Sequence, residues 1–173
     1  LNGILKYPWA RGENKDYPNK WGCYDSESEI FEWVRDGSPP QRRCLIAEIM
    51  DWADDITFAI HDLLDFFRAG YIPVDRCKPP WSTERERLLN GIFRRKSRWL
   101  KARDRYESAL EAILIQFPFD PDVRYQDTTE DRARLYAFSS SLIKYYVNAI
   151  ELAETPRDFP LLKVDERAQN EVE

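Results

Sequence analysis

From Cys44 to Phe67 the chain carries no Gly, Pro, Lys or Arg, and its apolar residues repeat at helical spacing. On a wheel of about 100° per residue, Ile49, Trp52, Ala53, Ile56, Ala59, Ile60, Leu63, Leu64 and Phe67 share one side. Glu48, Asp51, Asp54, Asp55, His61, Asp62 and Asp65 share the other, with Phe58 in the middle of the acidic face. This spacing predicts one long helix over about 41–69, closed by Gly70 just past its end. The flanking sequence agrees with a helical chain. Tyr7 to Tyr24, with two Pro and two Gly, reads as a long loop. Ser26 followed by Glu29 is a capping-box pattern that opens a short helix through Phe31 and Trp33 to Arg35, and Asp36 to Pro40 ends it.

Pro73, Pro79 and Pro80 form a linker, after which Ser82 or Thr83 caps a long helix to about Phe117. Pro118 and Pro121 interrupt it. A last long helix runs from about Asp127 or Thr128 to Leu152, with apolar positions at Leu135, Phe138, Leu142, Tyr145 or Tyr146, Ala149 and Leu152. Phe159 to Val164 is a short extended run. With no alternating set of strands and no internal repeat, the expected fold class is all-α. The 173 residues amount to one domain rather than two.

The net charge of −5 supplies no global attraction for nucleic acid or for an anionic membrane. No apolar run is long enough to span a bilayer. Cys23, Cys44 and Cys77 are odd in number and show no paired spacing, so neither a disulfide framework nor a structural zinc site is indicated, and a cytoplasmic location is expected. Leu1 to Lys6 reads as the last turns of a helix begun earlier, and Asp165 to Glu173 as a helix just begun. On that reading the chain is an internal fragment.

The acidic face has two readings. Six carboxylates lie between Arg43 and Arg68 with no basic residue among them. Like charges one turn apart cost about 0.2–0.5 kcal/mol per pair. A solvated face carries that cost unrelieved; a metal or an external cationic group would remove it, since carboxylates are ligands for hard divalent ions. Phe58, one turn from both Asp54 and Asp62, suits a ligand platform. His61-Asp62 is not a self-contained metal site, because His61 is the only histidine.

The run Ala47 to Asp62, with Ala53-Asp54-Asp55-Ile56, then Phe58, then His61-Asp62, resembles a motif of the bacterial dGTPase family of HD-domain triphosphohydrolases. Leu5-Lys6-Tyr7-Pro8-Trp9 resembles a second motif, and Lys20-Trp21-Gly22-Cys23-Tyr24 with Ser26-Glu27 a third, in the family's order. The resemblance is clear over 1–70 and diffuse beyond. It implies a partial HD-like helical bundle, with 1–70 the C-terminal part of the catalytic core and 71–173 a helical region packed on it. The implied reaction is hydrolysis of a dNTP to the deoxynucleoside and triphosphate, with a divalent metal, Mg or Mn, as cofactor. Asp54 then corresponds to a metal ligand and Asp62 to the acceptor of the sugar 3′-hydroxyl. Phe58 stands where the family usually has Tyr against the sugar, and Lys6 and Tyr7 lie in the stretch that approaches the triphosphate. The family's His and His-Asp ligands would lie upstream of Leu1, so no catalytic base is assigned and the isolated chain is expected to be inactive. The family also implies a homo-oligomer responsive to a nucleotide effector.

A second charged stretch, 85–105, is strongly basic: Arg85, Arg87, Arg94, Arg95, Lys96, Arg98, Lys101, Arg103 and Arg105. It reads as a solvated or intersubunit face, or as an anion site where Trp99 and Tyr106 stack on bases. Two alternatives to the enzyme therefore stand: a non-catalytic nucleotide-binding regulator of the HD family, and a helical module that binds nucleic acid or a protein partner through 85–105.

Overall fold

The computed structural model describes residues 1–95, 103–155 and 160–172. Among them are six α-helices and two short strands, so the chain is mostly helical, as its periodicity predicts. The helices are α1 (Ser28–Arg35), α2 (Leu45–Arg68), α3 (Thr83–Arg95), α4 (Arg103–Gln116), α5 (Thr129–Asn148) and α6 (Glu166–Val172). The strands β1 (Ile150–Leu152) and β2 (Leu162–Val164) pair with each other. The chain forms two compact units, one of residues 1–54 and 150–163 and the other of residues 55–149 and 164–173. α2 runs through both.

In the first unit the long loop is ordered around one tryptophan. Trp9 is buried, its indole N–H donates to the Lys20 carbonyl at 2.7 Å, and its own carbonyl accepts the Gly22 N–H at 2.9 Å. Tyr17 stacks on it at 5.9 Å and Tyr7 tilts against it at 5.6 Å. Gly22 is required by this approach, because a Cβ there would sit 2.0 Å from the Tyr7 carbonyl oxygen. The expected helical turns over Leu1 to Lys6 reduce to a single 3₁₀ turn, Asn2–Ile4. The capping pattern also shifts: a 3₁₀ turn, Asp25–Glu27, precedes α1, which starts at Ser28, and the Glu27 carboxylate accepts the Tyr24 N–H at 3.1 Å at the start of that turn, two residues earlier than the Ser26/Glu29 reading.

α2 follows its wheel except at Ile49 and Ala53, which the spacing puts on the apolar side and the structure leaves exposed. Trp52, Ile56, Ile60 and Phe67 are buried, while Phe58, His61, Asp62 and Asp65 are exposed. Its end is a left-handed glycine stop. Gly70 has φ +75°, the Gly70 N–H reaches the Phe67 carbonyl at 2.9 Å and the Tyr71 N–H reaches that of Phe66 at 2.8 Å.

The core of the second unit is aromatic. Phe67 meets Phe117 edge-on at 4.8 Å, Phe119 at 5.8 Å and Tyr125 at 5.6 Å, and Phe117 meets Phe138 at 5.3 Å. α5 presents Leu135, Phe138, Leu142 and Tyr146 as its buried row. A reciprocal cap starts it: the Thr128 hydroxyl accepts from the Asp131 N–H at 3.1 Å and the Asp131 carboxylate accepts from the Thr128 N–H at 3.4 Å. Those bonds, with the Gln126 N–H first among them, hold the Asp131 carboxyl below its ordinary value.

α5 stops at Asn148 rather than continuing to Leu152. Ile150–Leu152 instead forms β1, and the bonds from Ala153 N–H to the Leu161 carbonyl and from Asp165 N–H to the Ala149 carbonyl, both 2.8 Å, give an antiparallel register. Helical spacing alone does not report that competing ladder. The extended run read at Phe159 to Val164 narrows to Leu162–Val164; Phe159 lies outside the described residues. The single long helix expected over 83–117 is described as α3 and α4, and residues 96–102 between them lie outside the described residues.

Candidate functional site

The acidic start of α2 meets two basic residues that precede it in the chain. Lys6 Nζ lies 2.9 Å from Asp54 Oδ2 and 3.1 Å from Asp51 Oδ1. Arg43 Nη1 lies 2.6 Å from Asp51 Oδ2, and Arg43 Nε donates to the Lys6 carbonyl at 2.7 Å. Asp51 and Asp54, three residues apart, share one helix face, so one ammonium reaches both. Two cations thus face two carboxylates, and the repulsion that the sequence left unbalanced is relieved here from within the chain. Hydrogen bonds to Asp54 and then Asp51 raise the Lys6 ammonium well above an ordinary lysine, against a smaller opposing effect of burial.

Glu48, one turn earlier, has a different partner. Its Oε2 accepts the Leu162 N–H at 2.7 Å and so ties β2 to α2 across 114 positions of sequence. Tyr7 is half-buried in the loop, with its ring against Trp9 and the Lys20 ammonium 5.6 Å from its centroid. Of the residues singled out from sequence, Lys6 and Asp54 are therefore brought into direct contact. Phe58 and Asp62 follow Asp54 along α2, in the second unit; Phe58 is 61% exposed.

Of this arrangement, the sequence placed Glu48 and Asp51 on the acidic face without assigning either a role, and Arg43 was not singled out. The signal for Asp51 was its spacing to Asp54. No local signal reports the bond of Arg43 to the Lys6 carbonyl or that of Glu48 to the Leu162 N–H, because one partner comes from before the loop and the other from β2.

A divalent metal requires hard oxygen or imidazole donors converging on one point. Asp54 fits one position of such a set: its side chain is 43% exposed, and the carboxylate already receives a cationic group. Among the described residues no group of three or more His, Cys, Asp or Glu stands together to hold a metal.

The basic stretch is partly paired. Arg85 Nη2 contacts Glu111 at 2.5 Å, Arg103 Nε contacts Glu107 at 2.6 Å and Arg105 Nη2 contacts Glu166 at 3.7 Å. Lys96, Arg98, Trp99 and Lys101 lie outside the described residues.

A Streptomyces coelicolor protein named deoxyguanosinetriphosphate triphosphohydrolase-like is 34% identical over 161 residues, covering 88% of this chain and 36% of that protein. These relatives support the dGTPase family. A Bifidobacterium longum protein of the same name is 25% identical over 162 residues, 88% of this chain and 32% of its own length. One from Corynebacterium efficiens is 41% identical over 73 residues, 42% of this chain and 17% of that protein. The chain spans about a third of the length of the two relatives that match along most of it. No family model and no solved structure matches. No described helix is long and apolar enough to cross a membrane.

Proposed function

We propose that this chain is part of a dNTP triphosphohydrolase, acting on dGTP or a similar dNTP, in which it supplies one metal ligand and contacts to the sugar and the phosphates. The observation that carries the proposal is the contact of Lys6 with Asp54: two residues from separate family-like motifs, 48 positions apart, meet at 2.9 Å. A carboxylate beside a lysine suits a site where a cation and a polyphosphate must be held together.

In this reading Asp54 holds a divalent ion, Mg or Mn, together with ligands from elsewhere in a protein of the relatives' length. When bound, that ion polarises a phosphate oxygen and activates water for attack at phosphorus. The chain's own residues bind and orient. Lys6 neutralises charge on the triphosphate, with Tyr7 beside it in the same stretch. Asp62 accepts a hydrogen bond from the sugar 3′-hydroxyl. Phe58 offers a ring face to the sugar, without the hydroxyl that a Tyr would bring. Asp54 contributes charge and geometry, not general-base catalysis. A nucleotide effector and a homo-oligomeric state belong to the same proposal, as does inactivity of the 173-residue chain by itself.

The missing hydroxyl at Phe58 favours one second reading, a regulator of the same family that binds nucleotide without turning it over. One experiment separates the two. A protein of the relatives' length carrying this segment is incubated with dGTP and Mn²⁺ or Mg²⁺, and inorganic triphosphate is followed by ion chromatography. Release that disappears in Asp54→Ala, with helical circular dichroism unchanged, supports the enzyme. Nucleotide binding with no release supports the regulator, and undiminished release from Asp54→Ala shows that Asp54 is not the ligand.

A further inference from the structure

We infer that the outer face of α5 is a self-association surface, on which a second copy of this chain packs its own α5 antiparallel. This gives the proposed homo-oligomeric state a surface, and it needs nothing from Asp54 or from the dNTP reading. α5 uses its wheel twice. Leu135, Phe138, Leu142 and Tyr146 form the buried row. About 130° away at 100° per residue, a second row recurs at alternating steps of four and three residues: Thr129, Ala133, Tyr136, Ser140, Ile143 and Val147. That is the heptad spacing of a helix–helix seam, held along the whole of α5. The row carries no charge, and all six residues are exposed, Tyr136 by 75%, Val147 by 53% and Ile143 by 42%. A helix with a single neighbour to cover has one such row and a charged or polar face opposite.

The order of sizes along the row decides the occupant. From Thr129 to Val147 it runs small, small, large, small, large, large, which is its own inverse read from the other end. A second α5 laid antiparallel, with the two-fold axis level with Phe138, sets Tyr136 against the partner's Ser140. Ile143 then meets the partner's Ala133, and Val147 the partner's Thr129. Every layer puts a large side chain over a small one, as close packing requires. A parallel pair would instead set Tyr on Tyr and Ser on Ser, with crowding beside voids. The flanking charges agree with the antiparallel order. Glu130 and Lys144, both exposed, border the same edge of the seam near opposite ends of α5, so each faces the other across the axis. Within the helix Arg134 takes Glu130 Oε1 at 2.6 Å, which leaves Oε2 for the second copy.

A helix pair about 30 Å long is smaller than a standard stable interface, so association is expected between micromolar and millimolar concentration. Sedimentation velocity of the 173-residue chain over that range reads it. Ile143→Asp and Ile143→Lys, opposite in charge, are both expected to weaken dimerisation by at least about ten-fold, since each would bury unpaired charges in the seam. Both replace an exposed residue, so circular dichroism and the urea midpoint should match the wild type. Lys144→Glu and Glu130→Lys, which set like charges across the axis, are each expected to weaken it several-fold. The Glu130→Lys/Lys144→Glu double variant should recover most of that loss.

A wild-type chain that stays monomeric at the highest concentration would overturn the inference, and the seam would then belong to another segment of a longer protein or to a different partner. Self-association unmoved by either Ile143 variant would leave the homo-oligomeric state standing and remove α5 as its surface. Losses in both charge reversals with no recovery in the double variant would overturn the antiparallel pairing. Absence of triphosphate release in the turnover assay touches none of these results.

Discussion

The contact between Glu48 and Leu162 is the most exposed to a quantitative test, because it fastens the 150–163 segment to α2 within the first unit. The Leu162 N–H donates to Glu48 Oε2 at 2.7 Å, a short bond to a carboxylate in a half-buried setting. Hydrogen bonds to charged groups contribute about 1.5–3 kcal/mol. Glu48→Ala removes the acceptor and leaves the Leu162 N–H to water, or unpaired, since Leu162 itself is buried. A local stability loss of about 1.5–3 kcal/mol corresponds to amide exchange at Leu162 faster by roughly 10- to 100-fold. Glu48→Gln keeps a carbonyl acceptor of the same reach without the charge, and is expected to lose about half as much. Native-state hydrogen exchange read at Leu162 and at Ala153, whose N–H bonds the Leu161 carbonyl, follows the opening of the hairpin. Amides of α5 serve as a reference that should not change. Unaltered exchange at Leu162 in Glu48→Ala would refute the reasoning, since the bond would then contribute nothing to holding β2.

Two further outcomes are expected. Phe67→Ala empties a site bounded by Phe117, Phe119 and Tyr125 and should cost about 3–5 kcal/mol in urea unfolding, with a loss under about 1 kcal/mol showing that the ring cluster is not a packed core. Phe58→Tyr changes an exposed side chain, so the unfolding midpoint should stay within about 0.5 kcal/mol of the wild type; triphosphate release by the longer protein should be preserved or raised, and a severe loss would show that this ring is used differently.

Local signals in the sequence determined the helices well. The uninterrupted run from Cys44 to Phe67, the apolar row Trp52, Ile56, Ile60 and Phe67, and the stop at Gly70 all act within a few turns, and α2 obeys them. The buried row of α5 was equally legible. Its end was not: the spacing of Ala149 and Leu152 continued the helical pattern, but β1 gains a ladder with a strand from 162–164 that no window around Leu152 contains. Leu1 to Lys6 shows the same limit, since helix-compatible residues there form only one 3₁₀ turn.

The acidic face divides along the same line. Sequence spacing placed Asp51, Asp54, Phe58 and Asp62 on one side of a helix, and family-like motifs drew attention to Lys6 and Asp54. What balances the first two carboxylates was decided only by tertiary structure, because Lys6 lies 48 positions before Asp54 and the Arg43 guanidinium reaches two acceptors at once. Charge pairing depends on distances in space, and a chain written in one dimension contains those distances only where a helix or a turn makes them local.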